Sequence, residues 1–287
     1  MSLHEWIPPR PDSTLDRNGF ALVGDLHTSG YGEIIRAMEA FQAEFLALTR
    51  SLWHASFPIP GDSLAHFSRQ WEFPYVWANI GPPGRRLLDV GSGITFFPFL
   101  LAAAGFDVHC CDSDSTLRLP ERYRKATQLT GLPVQFTEAS LTGLPYAAGT
   151  FDIAICVSVL EHVGAARTEM IAAAAEVLKP GGLLVLTCDV DLRRQGDLLL
   201  EDAAVLLAQM RASFTLVHPL DLRRPTDMLT SEYALSVTPW RLPWPWRPPV
   251  AGQTGTWRDE FRSIAILGIC AVKKSEKGGV ARHAQLV

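Results

Sequence analysis

The stretch Leu87–Gly105, LLDVGSGITFFPFLLAAAG, limits what this chain can fold into more than any other. Leu87, Leu88 and Val90 read as a short apolar strand, Asp89-Val90-Gly91-Ser92-Gly93 as a tight turn, and Ile94 to Ala104 as an apolar helix closed by Gly105. Glycine at 91 and 93 lets the backbone bend sharply and lets another molecule approach nearer than a β-carbon permits. Free N–H groups at the head of the helix face the same space and favour an anion there. A dinucleotide fingerprint needs a third glycine at position 96, where the chain has Phe96, and that bulk opposes a close-lying pyrophosphate.

The spacing beyond Gly105 continues the pattern. A second apolar strand, Phe106 to Cys111, ends at Asp112 and Ser113. An acid about 20 residues past a glycine turn, at the end of the next strand, is placed to accept hydrogen bonds from a ribose diol. Asp112 is therefore the ribose candidate, and Asp114 reads better as a cap for the helix that follows. A third strand, Pro133 to Thr137, leads to Glu138-Ala139-Ser140-Leu141, and a fourth, Phe151 to Val157, carries four successive apolar residues, as a strand buried on both faces should.

Leu87–Gly93, Asp112, Leu144-Pro145-Tyr146 with Phe151-Asp152, Ser158-Val159-Leu160-Glu161-His162-Val163, and EVLKPGG at Glu176–Gly182 together resemble the Rossmann-like (class I) S-adenosylmethionine-dependent methyltransferases. The resemblance covers Arg85 to Leu186 well and the segment to Lys274 more faintly. It implies S-adenosyl-L-methionine as cofactor, with Asp89, Gly91, Ser92 and Gly93 around its methionine end, Asp112 and Ser113 at the ribose, and Ser140 and Leu141 near adenine. In the family an acid stands near Ser140, and Glu138 is the nearest acid here. Val157 ends the fourth strand beside the glycine turn, where open α/β sheets bind ligands.

Ahead of the first strand, Arg69-Gln70-Trp71-Glu72-Phe73-Pro74-Tyr75 crowds two opposite charges among aromatics. Arg69 would suit a carboxylate such as the cofactor's, and the bland alternative is an Arg69–Glu72 pair on a helix surface. If the methyl acceptor must lose a proton, His162, Asp189 and His27 are base candidates in that order; the bland role of His162 is to begin the next helix. Asp191 shares the carboxyl edge of the fifth strand with Asp189.

Composition adds bounds. The 287 residues are 47% hydrophobic, ample for a core, and a net charge of −4 leaves no electrostatic footprint for nucleic acid or anionic membrane. No apolar run approaches a membrane span, the polar N-terminus does not read as a signal peptide, and no metal-ligand spacing occurs, so a cytoplasmic protein is expected. The five cysteines fall in strands and read as free thiols.

The sequence thus predicts a three-layer α/β sandwich with a mostly parallel seven-stranded sheet, its last strand antiparallel, and a helical N-terminal cap. Residues 1–84 read as an arm and cap, with helices from Glu33 to Leu52 and Ser63 to Ile80; residues 85–274 read as the main domain. Tyr233, Trp240, Trp244, Trp246 and Trp257 mark a Trp/Pro-rich lid at about 219–262, and 275–287 reads as a mobile tail. The expected activity is methyl transfer to a small-molecule acceptor. The alternatives are a nicotinamide-dependent oxidoreductase on a related fold, or an inactive binding module that keeps the fold.

Overall fold

A computed structural model describes residues 2–10, 15–53, 64, 67–115, 118–193, 198–231 and 263–275. Among these residues nine strands form one sheet: β1 (Asn18–Phe20), β2 (Arg86–Val90), β3 (Asp107–Asp112), β4 (Val134–Glu138), β5 (Phe151–Val157), β6 (Leu178–Asp191), β7 (Phe214–Leu216), β8 (Leu220–Asp221) and β9 (Ile264–Lys273). The order is β4-β3-β2-β5-β6-β9, with β2 to β6 parallel to their neighbours and β9 antiparallel to β6. The far edge of β9 is shared by β7 and β1, both antiparallel to it, and β8 pairs with β1.

The mostly parallel α/β sheet is the one expected, with β9 as the antiparallel last strand. The two additional strands, β1 and β8, are too short for a period to register in the sequence. Asn18 secures β1: its amide donates to the carbonyls of His218 and Cys270, and its oxygen accepts from the Cys270 N–H. Part of the segment read as an arm is therefore woven into the sheet.

Among the described residues six α-helices cover the two faces: α1 (Ser29–Leu48), α2 (Phe67–Asn79), α3 (Phe97–Ala103), α4 (Leu119–Thr130), α5 (Arg167–Val177) and α6 (Leu200–Met210). Alternation along the strands sorts the core into two clusters. Leu87, Ile153, Ile155 and Val185 pack with Phe41, Phe45, Trp71, Leu100 and Tyr123 on one face; Leu88, Ala154, Leu184 and Leu186 pack with Met170, Ala174, Leu206 and Met210 on the other. Burial on both faces is the three-layer arrangement.

Two helices differ from their sequence boundaries. The first begins at Ser29 rather than Glu33, and α3 starts only at Phe97, after an irregular stretch in which the Thr95 hydroxyl accepts from the Phe97 N–H. Ser63, where the second is expected to begin, lies outside the described residues. Periodicity marks the buried face of a helix and is blind to where capping groups let it begin. Pro74 sits inside α2, which lies across β9: Trp71 stacks on Tyr75 at 4.5 Å between ring centroids, and both press on Gly268. A β-carbon at Gly268 would lie 2.6 Å from the Trp71 ring.

Most of the lid expected at about 219–262 (232–262) and nearly all of the tail expected at 275–287 (276–287) lie outside the described residues. The described residues before them reach the N-terminal segment and β9: Met228 bridges Leu22 and Thr230 bridges Ala265. No described helix is long and apolar enough to cross a membrane.

Candidate active site at the glycine turn

The chain leaves β2 toward β3 and β4 on one side and returns through β5 on the other, so the strand order switches between β2 and β5. A crevice opens at the carboxyl ends of strands at such a switch. Here it is a small pocket lined by Arg69, Phe73, Asp89, Gly91, Ser92, Thr95, Phe97 and Val157.

The turn is shaped by its two glycines in different ways. Gly91 has φ +76°, and a β-carbon there would lie 2.6 Å and 2.7 Å from the two methyls of Val159. Gly93 has φ +52°, and a β-carbon there would meet nothing within 4 Å. The first glycine is demanded by the protein's own packing; the second leaves space open beside the backbone. The N–H groups of Gly91 and Ser92 donate to the Cys111 carbonyl at 2.8 and 3.2 Å, and Tyr123 donates to the Ser92 hydroxyl at 3.1 Å, which ties the turn to β3 and α4.

Asp112 closes the turn from the next strand. Its carboxylate accepts from the Gly93 N–H at 2.8 Å with one oxygen and from the Asp114 N–H at 2.9 Å with the other. Asp89 is buried on the pocket wall, and burial pushes its carboxyl up to about 8; nearby Asp112 adds to the rise and Arg69 opposes it.

Arg69 and Glu72 form a buried pair, not a surface one. Their side chains are 9% and 0% exposed, and one face of the arginine reaches the pocket. Arg69 Nη1 also donates to the Ser158 hydroxyl at 2.6 Å. Glu72 Oε1 accepts from Ser158 Oγ at 2.6 Å and Thr187 Oγ1 at 2.7 Å. Ser158 adopts φ +49°, unusual for a residue with a side chain, at the end of β5. Close by, Glu161 is buried and accepts from the Asp189 N–H at 3.3 Å with Oε1, while Oε2 is buried with no hydrogen-bond partner. Burial, with Glu72 adding repulsion, pushes its carboxyl up to about 7.

Of the residues singled out in the sequence, Arg69, Asp89, Gly91, Ser92 and Val157 line the pocket, and Gly93 and Asp112 adjoin it through their mutual hydrogen bond. Ser113 follows directly. Ser140 is exposed and bonded to Thr142, with Leu141 half-buried beside it, further along the carboxyl edge. His162 does not turn inward: its side chain is 67% exposed, with Nε2 4.0 Å from Glu161 Oε1. His27 ends a short 3-10 turn in the N-terminal segment. The sequence reading missed Ser158, Thr187 and Glu161 as members of the site. The one available signal was charge set among apolar neighbours, Glu72 between Trp71 and Phe73 and Glu161 after Leu160.

Residues 88–186, from β2 to the middle of β6, match the methyltransferase domain family. Those 99 of the chain's 287 residues are similar to methyltransferase domains. A ubiquinone biosynthesis O-methyltransferase of Xanthomonas axonopodis pv. citri is 33% identical over 145 residues, 50% of this chain and 58% of that protein. An uncharacterized methyltransferase of Mycobacterium tuberculosis is 37% identical over 112 residues, 38% of this chain and 41% of that protein. The chain thus aligns with less than two thirds of the length of these relatives. Among solved structures, phosphoethanolamine N-methyltransferase 2 of Haemonchus contortus, in complex with S-adenosyl-L-methionine, covers 68% of this chain and 50% of its own at 16% identity and TM-score 0.47. The matched segment contains the glycine turn, Asp112, Ser158 and Glu161; Arg69 and Glu72 come from α2, ahead of it.

Proposed function

We propose that this chain is an S-adenosyl-L-methionine-dependent methyltransferase whose acceptor is a small molecule. The observation that carries the reading is the pocket at the strand switch, where a glycine turn with open space at Gly93 lies between Arg69 and Asp89 on one side and Asp112 on the other. That donor set fits a ligand with a carboxylate, cationic centres and a ribose diol. Arg69 matches the carboxylate, buried Asp89 the cationic end, and Asp112 the ribose, with Ser113 beside it and Ser140 and Leu141 toward the adenine. The cofactor, when bound, supplies an activated methyl group on a sulfonium.

The chain's own residues align and shelter. Phe73, Phe97 and Val157 give the pocket apolar walls, which exclude water and strengthen the charged contacts. Phe96, the residue that replaces a third glycine, is buried against Phe73 and Phe41, with ring centroids 5.4 and 6.3 Å away, so the space a pyrophosphate would need near the helix is filled. This favours the methyltransferase reading over the nicotinamide one. In this reading Asp189 and Glu161, joined by the Asp189 N–H to Glu161 Oε1 bond near the carboxyl ends of the strands, are better base candidates than the outward-facing His162. The domain's match to O-methyltransferases suits an acceptor hydroxyl, and five unpaired buried cysteines suit the cytoplasm.

Isothermal titration with S-adenosylhomocysteine, the demethylated product, tests this directly. Saturable heat with one site and a rise in melting temperature are expected, with no response to NAD. Heat with NAD alone would reverse the choice between the two readings.

A further inference from the structure

We propose that Glu72 is a positioning residue that aims the Arg69 guanidinium at the carboxylate of the ligand's amino-acid end. The inference rests on the cofactor reading above and assigns a role within it to a residue outside the methyltransferase domain.

Three elements converge on this one carboxylate. Oε2 holds Arg69, one turn earlier on α2; Oε1 accepts from Ser158 at the end of β5 and from Thr187 within β6. Ser158 closes the ring, because its hydroxyl donates to Glu72 and accepts from Arg69 Nη1 at 2.6 Å. Glu72 and Thr187 are fully buried and Arg69 and Ser158 nearly so. A carboxylate in such a place is costly unless every oxygen is paired, and here both are. An arginine is planar, so bonding Nη1 on two sides fixes the plane in which its remaining N–H groups lie. That plane borders the pocket beside Asp89, Gly91 and Ser92. Without Glu72 the guanidinium has an alternative acid on the pocket wall, Asp89, whose ionised form it already favours, and pairing with it would turn the arginine away from an incoming anion. The same ring pins Ser158 in its left-handed conformation, which sets where β5 ends.

Two probes separate positioning from general support. S-adenosylhomocysteine carries the amino-acid carboxylate; 5′-methylthioadenosine has the same nucleoside and sulfur but lacks it. The substitution E72Q keeps an oxygen for Ser158 and Thr187 and loses the charge facing Arg69. Its affinity for S-adenosylhomocysteine should fall tenfold or more while that for 5′-methylthioadenosine stays within twofold of wild type. R69A should show the same selective loss, and adding E72Q to R69A should cost nothing further. R69K, which retains the buried charge and removes the planar fork, should repeat the pattern and serves if E72Q does not fold. Equal weakening of both probes by E72Q, additive losses in the double variant, or unchanged affinity in R69K would overturn the proposal. Wild-type protein that bound both probes equally would overturn it while leaving the nucleoside site standing; protein that bound neither would overturn the cofactor reading as well.

Discussion

The hydroxyl of Tyr31 on α1 donates to the backbone carbonyl of Gln70 on α2 at 2.7 Å. Gln70 is the residue four before Pro74, and a proline has no N–H to close that turn of the helix. The tyrosine supplies the missing donor from another helix, so α2 can keep a proline in its middle and still satisfy its backbone. The helix so held is the one that carries Arg69 and Glu72.

Replacing Tyr31 with Phe should therefore destabilise the protein by about 1–3 kcal/mol, the scale of a buried carbonyl left unpaired. In the Tyr31→Phe background, Pro74→Ala should recover much of the loss, because the new N–H at 74 can bond Gln70. Urea unfolding of the two single variants and the double one measures the coupling; additive effects would show that the two residues act separately.

Gly91 and Gly93 should respond differently to a methyl group. Gly91→Ala meets both left-handed strain and the Val159 methyls at 2.6 and 2.7 Å, so a loss of about 2–4 kcal/mol is expected. Val159→Ala in the same chain should return the part due to the clash. Gly93→Ala has open space and should cost only the strain, about 1–2 kcal/mol, yet it should abolish measurable binding of S-adenosylhomocysteine because its β-carbon enters the ligand's space. Thermal denaturation and calorimetry on the same samples distinguish the two outcomes.

Asp112→Ala removes a carboxylate that both braces the Gly93 amide and faces the proposed ribose. Binding of S-adenosylhomocysteine should weaken by about 1–3 kcal/mol with folding still cooperative. Asp112→Asn, which can keep an oxygen toward Gly93, should weaken it less. Wild-type affinity in both variants would remove Asp112 from the site.

Glu161 sets a pH dependence of stability. Its carboxyl is raised from the usual 4.5 to about 7, so the folded protein holds this proton more tightly than the unfolded chain does. The stabilisation is complete below pH 4.5 and is lost progressively as pH rises to 7, above which the ionised form is fully penalised. Glu161→Gln cannot ionise and should match wild type at pH 4.5 and exceed it above pH 7 by up to about 3 kcal/mol. Denaturant titrations from pH 4.5 to 8 would show this as a widening gap; a constant gap would mean that Glu161 is not the titrating group.

What the linear chain determined by itself was everything carried by neighbours and by period. The strand and glycine turn from Leu87, the acid at Asp112 that ends the next strand and the doubly buried β5 are encoded in contiguous residues and stand where the pattern put them, while the helix after the turn begins three residues later, at Phe97. Tertiary structure alone decided what joins residues distant in the chain. The short β1 enters the sheet because Asn18 meets Cys270, 252 positions away. The Arg69–Glu72 pair reads the same in sequence whether it faces water or the core, and only the packing of α2 over β5 and β6 buried it against Ser158 and Thr187. Burial is a property of the assembled layers, and with it come the raised pKa values of Asp89 and Glu161 and the inward or outward aim of a side chain. For that reason Glu161 is buried and its neighbour His162, one residue further, faces solvent.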